Sequence, residues 1–313
     1  MTDLLAKPII FNGAPRSGTT IISEFIFQHP TLAWPSNYQE KYPAFSSINL
    51  VRNLFDNSIW SVIGKKRQLH SPSRINRFLF TPGECYDMWE HITGSEANFR
   101  HGFLLDQRAD GETADAIRQY FDRMVRYQGR ERLACKLTGP ARLTYLASIF
   151  PDAIFVNIRR RLVPTVRSLL KVRFWGEAGA RTIRWKGAYS DDELQWIKNT
   201  SADPALVTAY QILKIRQTQQ IEELNLGVHS LNIDYESFVS DPMAALRIIL
   251  DYCNLSLDDR IVKYLEHNPV VDRNEETDEY FSADTLARIN ALKARFPLET
   301  DPVSDALIAD SGR

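Results

Sequence analysis

Two short stretches carry residue types suited to holding an anion. The first, "GAPRSGTT" at 13–20, sets Gly13, Arg16, Ser17, Gly18, Thr19 and Thr20 between an apolar run and an apolar helical pattern. A strand that turns through glycine into a helix offers backbone N–H groups with no partners of their own, and the helix dipole adds partial positive charge. The second, "RRRLVPTVRSLLKVR" at 159–173, places six basic residues among fifteen in a chain of formal net charge −1. A guanidinium fork suits a phosphate dianion. Leu162 and Val163, just ahead of Pro164, are poor N-caps, which leaves the helix's first N–H groups for a ligand. Each stretch also has a plainer reading. The first is then a strand–helix turn that binds nothing, and the second a solvated basic face, the favoured role for Arg167, Lys171 and Arg173.

Four apolar segments read as buried strands able to position these stretches: Pro8–Phe11, Arg132–Lys136, Ala153–Ile158 and Val228–Asp234. Each precedes a helical pattern. Ile21, Ile22, Phe25 and Ile26 share one face after the first, and Leu143, Leu146 and Phe150 after the second. Pro164 opens the helix after the third, with Val166, Leu169 and Leu170 on its apolar face. Asp241-Pro242 opens a helix bearing Leu246, Ile249 and Leu250, with Asp as cap and Pro at the first position. Such alternation predicts an α/β fold, a parallel sheet covered by helices on both faces. Residues from about 35 to 130 break the alternation and are expected to form a helical insert or lid within one domain, 1–313. His70, His91 and His101 fall in this insert. Trp60, Trp89 and "FLF" at 78–80 line a cleft there or form the insert's own core. The last dozen residues read as a loosely held tail.

The chain's 313 residues, 44% hydrophobic and 25% charged, fit a globular protein with a large core. The near-zero net charge argues against nucleic acid as a partner. Cys85, Cys135 and Cys253 fit neither a disulfide framework nor zinc spacing, and no apolar run is long enough for a membrane span. With no secretory signal visible, the cytoplasm is the expected location. Oligomeric state leaves no mark in the sequence.

The spacing Gly13-x4-Gly18-Thr19-Thr20 resembles the ATP-binding P-loop, G-x-x-x-x-G-K-[ST], with one departure. Thr19 stands where the lysine belongs, and Arg16 lies three residues earlier. Such a loop suits a 5′-phosphate and is a poor fit to ATP with magnesium. "PRSGTT" resembles the 5′-phosphosulfate loop of sulfotransferases that use 3′-phosphoadenosine 5′-phosphosulfate (PAPS). In that family a strand ends in arginine, a serine follows eight residues later, and the pair grips the cofactor's 3′-phosphate. Arg160 and Ser168 stand at that spacing. Arg159 is the rival anchor, although its partner would then be Arg167. "ACKLTGPARLTYLASIFPDAIFV" and "SLNIDYESFVSDPMAALRIILDYCNL" resemble further segments of the family, so the likeness spans about 10–30 and 132–255.

The resemblance implies a P-loop NTPase-like parallel sheet, PAPS as donor and 3′-phosphoadenosine 5′-phosphate (PAP) as product. It implies transfer of a sulfuryl group to a hydroxyl or amine of a small-molecule, carbohydrate or lipid acceptor. Tyr235 is then expected beside the adenine, or else simply closes a strand end. Nothing matches the late "RKGxxG" of animal cytosolic enzymes, for which Arg273 in "VVDRN" is the candidate substitute. The chain is accordingly more similar to bacterial and Golgi-type members. Arg16 and the Ser17–Thr20 N–H groups are placed to stabilise charge left on the 5′-phosphate. No metal is expected, because a sulfuryl group carries one charge fewer than a phosphoryl group.

The acceptor needs a base. The resemblance points to a glutamate after the first helix, here Glu40, whose pKa would rise if buried beside Trp34 and Tyr42. His29 is the alternative. "TPGECYDMW" (81–89) and "RTIRWKGAYSDDELQW" (181–196) are the candidate acceptor-contacting stretches. Two other functions compete: a P-loop kinase or NTPase using Asp234 for magnesium, and a nucleotide-binding module without activity.

Overall fold

The structure, a computed structural model, describes residues 4–55, 80–94, 97–274 and 280–296. Its centre is a five-stranded sheet in the order β2-β3-β1-β4-β5. The strands are β1 (Ile9–Gly13), β2 (Leu32–Ala33), β3 (Arg132–Thr138), β4 (Ile154–Arg159) and β5 (Leu231–Asp234), and every pairing is parallel. β1 is central because all five of its residues are buried, leaving neither face for water. Ile9 and Phe11 join a cluster with Ile22, Phe25, Val156 and Leu246. Ile10 joins one with Leu133, Leu137, Leu146 and Phe155. The two-residue β2 is too short to show in the apolar pattern.

The four strands expected from sequence all form, with ends shifted by at most three residues. β5 starts at Leu231 rather than Val228. Asp241 caps the helix Pro242–Tyr252, accepting from Ala244 N–H at 2.9 Å.

The region 35–130 contains, among the described residues, the helices Asn37–Lys41, Asn49–Phe55, Tyr86–Thr93 and Gly111–Tyr127. The last of these packs inward rather than over the strand ends. Its Ile117, Phe121, Met124 and Val125 share a cluster with β3 and the helix Leu143–Ile149. Trp89 stacks on Phe99 at 4.7 Å and meets Phe121 at 5.0 Å, while Phe80 contacts Tyr38 at 4.5 Å. These aromatics are core, not cleft lining. Trp60, His70, Phe78 and Leu79 lie outside the described residues, as does the C-terminal stretch after residue 296.

β1 has β3 on one side and β4 on the other, so the chain departs from it in both directions. In open parallel sheets, ligands bind beyond the carboxyl ends of the strands at such a point. Gly13, Thr138 and Arg159 are those ends here.

Candidate functional site

From Gly13 the chain turns tightly into the helix Thr19–Ile26. Ser17 N–H donates to Ala14 O at 3.1 Å, and Arg16 holds a left-handed backbone (φ 68°). That conformation is uncommon for a residue with a side chain and clusters at functional sites. Gly18 (φ 101°) sits at the N-cap, where no side chain caps the helix. A Cβ on Gly18 would lie 2.5 Å from Tyr235 Cδ2, and one on Gly13 would lie 2.4 Å from Ile158 O. The glycines therefore let the loop press against β4 and Tyr235.

Arg16 and Ser168, 152 residues apart in sequence, meet directly: Arg16 Nε donates to Ser168 Oγ at 3.1 Å. Arg160 closes the same cluster. Its Nη1 donates to Arg16 O at 3.1 Å, Nε to Asn274 Oδ1 at 2.8 Å and Nη2 to Arg273 O at 3.1 Å. Its guanidinium lies 4.6 Å from the centre of the Tyr235 ring. Residues 270–274 thus lie against the loop. Burial pushes the pKa of both Arg16 and Arg160 down, with Arg273 adding to the effect on Arg16 and Arg16 to that on Arg160. The guanidiniums of Arg16 and Arg160 donate to a hydroxyl, an amide and backbone carbonyls and to no carboxylate directly, with Glu236 and Asp272 acting on Arg160 from farther away.

Arg159, the rival anchor, is committed elsewhere: its Nε donates to Asp234 Oδ1 at 3.0 Å. The same ion pair engages the aspartate that a magnesium-dependent reading would use. Arg167 departs from the expected solvated face. It is buried, with its guanidinium 5.6 Å from the Tyr280 ring centre. Lys171 also approaches that ring, and Arg173 pairs with Glu177.

Lys136 received no role from the sequence. It lies in β3 opposite Phe11, and its buried side chain donates from Nζ to Thr20 Oγ1 at 3.1 Å. The ammonium missing before the threonine therefore arrives from the neighbouring strand. A lysine inside an otherwise apolar strand was the available signal, since an unpaired buried ammonium is costly.

Glu40 sits in the helix Asn37–Lys41, which Ser36 and Gln39 anchor with a capping box. Its Oε2 accepts from Asp87 N–H at 3.1 Å, and Oε1 lies 3.6 Å from Arg100 Nη2. Burial first, then the charges of Asp87 and Glu84, raises its pKa, against the Asp87 N–H and Arg100. The expected neighbours differ. Trp34 stacks on Phe27 and Arg52, and Tyr42 is exposed beside Lys41. Cys85 lies within electrostatic reach of both Glu40 and Lys136. Its thiol is pushed well up by burial and by Glu40, while Lys136 acts the other way.

His29 does not reach the loop. It follows the far end of the helix Thr19–Ile26, with Nδ1 2.8 Å from Thr31 Oγ1. Thr31 O there accepts from Arg132 N–H at the start of β3. The helix runs away from the strands' carboxyl ends, which places His29 at the opposite edge of the sheet. This corrects its expectation as alternative base. Tyr235 is buried between Gly18 and Arg160, as a floor for the loop. Among the described residues no group of three or more His, Cys, Asp or Glu is arranged to hold a metal, and no helix is long and apolar enough to cross a membrane.

Comparison with known proteins bears on this geometry. The profile described as "Sulfotransferase family" matches residues 8–259. The fold is similar to that of sulfotransferase STF9 from Mycobacterium avium, with TM-score 0.55 and 17% identity over 96% of this chain and 78% of that one. It is also similar to sulfotransferase STF1 from Mycobacterium tuberculosis H37Rv, with TM-score 0.47 and 16% identity over 94% and 77%. No curated protein matches the chain in sequence.

Proposed function

Since this chain belongs to the sulfotransferase family, we propose that it moves a sulfuryl group from PAPS to a hydroxyl or amine of a small-molecule, carbohydrate or lipid acceptor. The observation that carries the reading is the meeting of Arg16, Ser168 and Arg160 in one cluster. Two basic elements remote in sequence then serve the two ends of one nucleotide.

The residues fit that group. Gly13 and Gly18 let the loop lie close on β4 and Tyr235, the loop helix lacks a side-chain cap, and the guanidiniums beside it have neutral hydrogen-bond partners. PAPS, when bound, supplies the activated sulfuryl group. The N–H groups of Gly18, Thr19 and Thr20, with Arg16, hold the 5′-phosphate and stabilise the charge that departure leaves on it, Ser17 N–H being committed to Ala14 O. Arg160 and the Ser168 hydroxyl hold the 3′-phosphate, with Arg160 already oriented by three acceptors. Tyr235 supports Gly18 and borders the adenine. The Lys136 ammonium at Thr20 sets a further positive charge beside the loop. Glu40 takes the acceptor's proton, because burial raises its basicity while Asp87 N–H fixes the carboxylate in place.

Thermal shift with PAP, set against ATP plus magnesium, tests the donor. Selective stabilisation by PAP is the expected result. Stabilisation by ATP plus magnesium alone would favour a kinase. PAP binding without turnover over a broad acceptor screen would favour a silent module.

A further inference from the structure

A cavity of about 510 Å³ opens between residues 98–107 and 183–187. That size suits a small organic ligand. Its lining includes Leu104, Leu105 and Ile183 together with His101, Arg184 and Lys186. The two walls are bridged at Gly102 and Lys186: Lys186 N–H donates to His101 O at 2.7 Å, and Phe103 N–H to Lys186 O at 3.0 Å.

Fully buried Arg142 fixes the first wall. It donates from Nε to Gly102 O at 3.1 Å, from Nη2 to Phe99 O, and from Nη1 to Pro140 O at 2.6 Å. Gln211 Oε1 fixes the second, accepting from Arg184 N–H at 2.7 Å.

The cavity adjoins the transfer site from two directions. Trp185, between Arg184 and Lys186, is close enough to Gly139 that a Cβ there would lie 3.1 Å from its ring. Gly139 N–H in turn donates to Gly13 O at 3.0 Å, at the base of the loop. On the other side Arg100, next to His101, reaches Glu40.

Charge distinguishes the two walls. Arg100 is balanced by Asp87, Glu40 and Glu90. Arg184 and Lys186 form no ion pair with a carboxylate among the described residues. Burial and then Arg184 push the His101 pKa down, which disfavours its charged form. A cavity with an apolar strip and two cations that no carboxylate balances suits a ligand that carries the missing negative charge.

We propose that this cavity takes the acceptor, and that the acceptor bears an anionic group, a carboxylate or a phosphate or sulfate ester, held by Arg184 and Lys186 while an apolar stem lies along Leu104, Leu105 and Ile183. This rests on the sulfotransferase reading above and adds the chemical class of the acceptor.

The test is calorimetry on protein saturated with PAP. The probes are 3-(4-hydroxyphenyl)propionate, 4-hydroxyphenyl phosphate and the neutral 4-propylphenol. The two anions are expected to bind at least about tenfold more tightly than the neutral phenol, and their relative order separates carboxylate from phosphate acceptors. The double variant Arg184→Gln/Lys186→Gln is expected to abolish the preference while binding PAP as the parent does, which also shows that it folds. Equal binding of anion and neutral phenol, binding of none of the three, or a preference that survives the double substitution overturns the proposal. Failure of the parent protein to bind PAP overturns the donor reading instead.

Discussion

Arg16, Ser168 and Arg160 reach one another from the ends of β1 and β4, with the sheet register setting their separation. Arg184 and Lys186 ride instead on an irregular segment held to its neighbour by one bridge at Gly102. The donor side inherits its geometry from strand ends, where a change of one residue is absorbed by an entire ladder. The acceptor side is held by buried Arg142, Gln211 and a few carbonyls. Groups at strand ends are therefore fixed by the sheet, while the wall proposed to meet the acceptor is a loop, free to differ without disturbing the sheet.

The contrast is sharpened most by Glu40, the one proposed chemical group on the acceptor side. Glu40→Gln is expected to lower kcat by about 10²–10⁴-fold, the range of a lost general base, with PAP affinity unchanged. Its pH behaviour follows from burial. Because the carboxyl's pKa is raised, kcat/KM should fall as pH drops through a value above the usual glutamate range. The glutamine variant should lack that limb. A parent profile flat down to the ordinary carboxylate range would remove the assignment.

Lys136 tests the donor side. Lys136→Met is expected to cost about 10²–10³-fold in kcat, as for other lost charge-stabilising donors, with a smaller loss of PAP affinity. If only stability changed, the ammonium would be a structural partner of Thr20 and nothing more. Gly18→Ala probes the loop. A left-handed backbone and the Tyr235 ring both oppose it, so a loss of about 1–3 kcal/mol in unfolding free energy is expected, with weaker PAP binding. Smallest is His29→Asn, at the far edge of the sheet. Turnover of the folded protein should stay within about twofold, since the buried ring bonds to Thr31 and lies far from the loop. A larger drop would revive the histidine as base.

Legibility in the sequence followed the same division. β1, β3, β4 and β5 were readable because strands buried on both faces are continuously apolar. Arg16, Arg160 and Ser168, singled out through the family resemblance, lie together because each belongs to a strand–loop–helix unit at the same end of the sheet. Lys136 was missed because its partner, Thr20, is 116 residues away and only strand pairing brings the two together. Gly111–Tyr127 was read only as part of a helical insert or lid, because length alone cannot say which way an amphipathic helix faces. His29 was misplaced for a related reason. A helix of eight residues carries the chain to the other edge of the sheet, a displacement that nearness in sequence conceals. The cavity beside Arg184 was traceable only as a mixture of aromatic and polar residues. Its two walls are separated by about eighty residues and joined through backbone groups, which carry no side-chain signature.

The most direct test of the two-ended site compares PAP with adenosine 5′-phosphate by calorimetry, in the parent protein and in Arg160→Gln. The account predicts that the parent binds PAP at least about tenfold more tightly and that the variant binds both nucleotides alike, with its affinity for adenosine 5′-phosphate kept. A parent indifferent to the 3′-phosphate, or a variant that still prefers PAP, would contradict it.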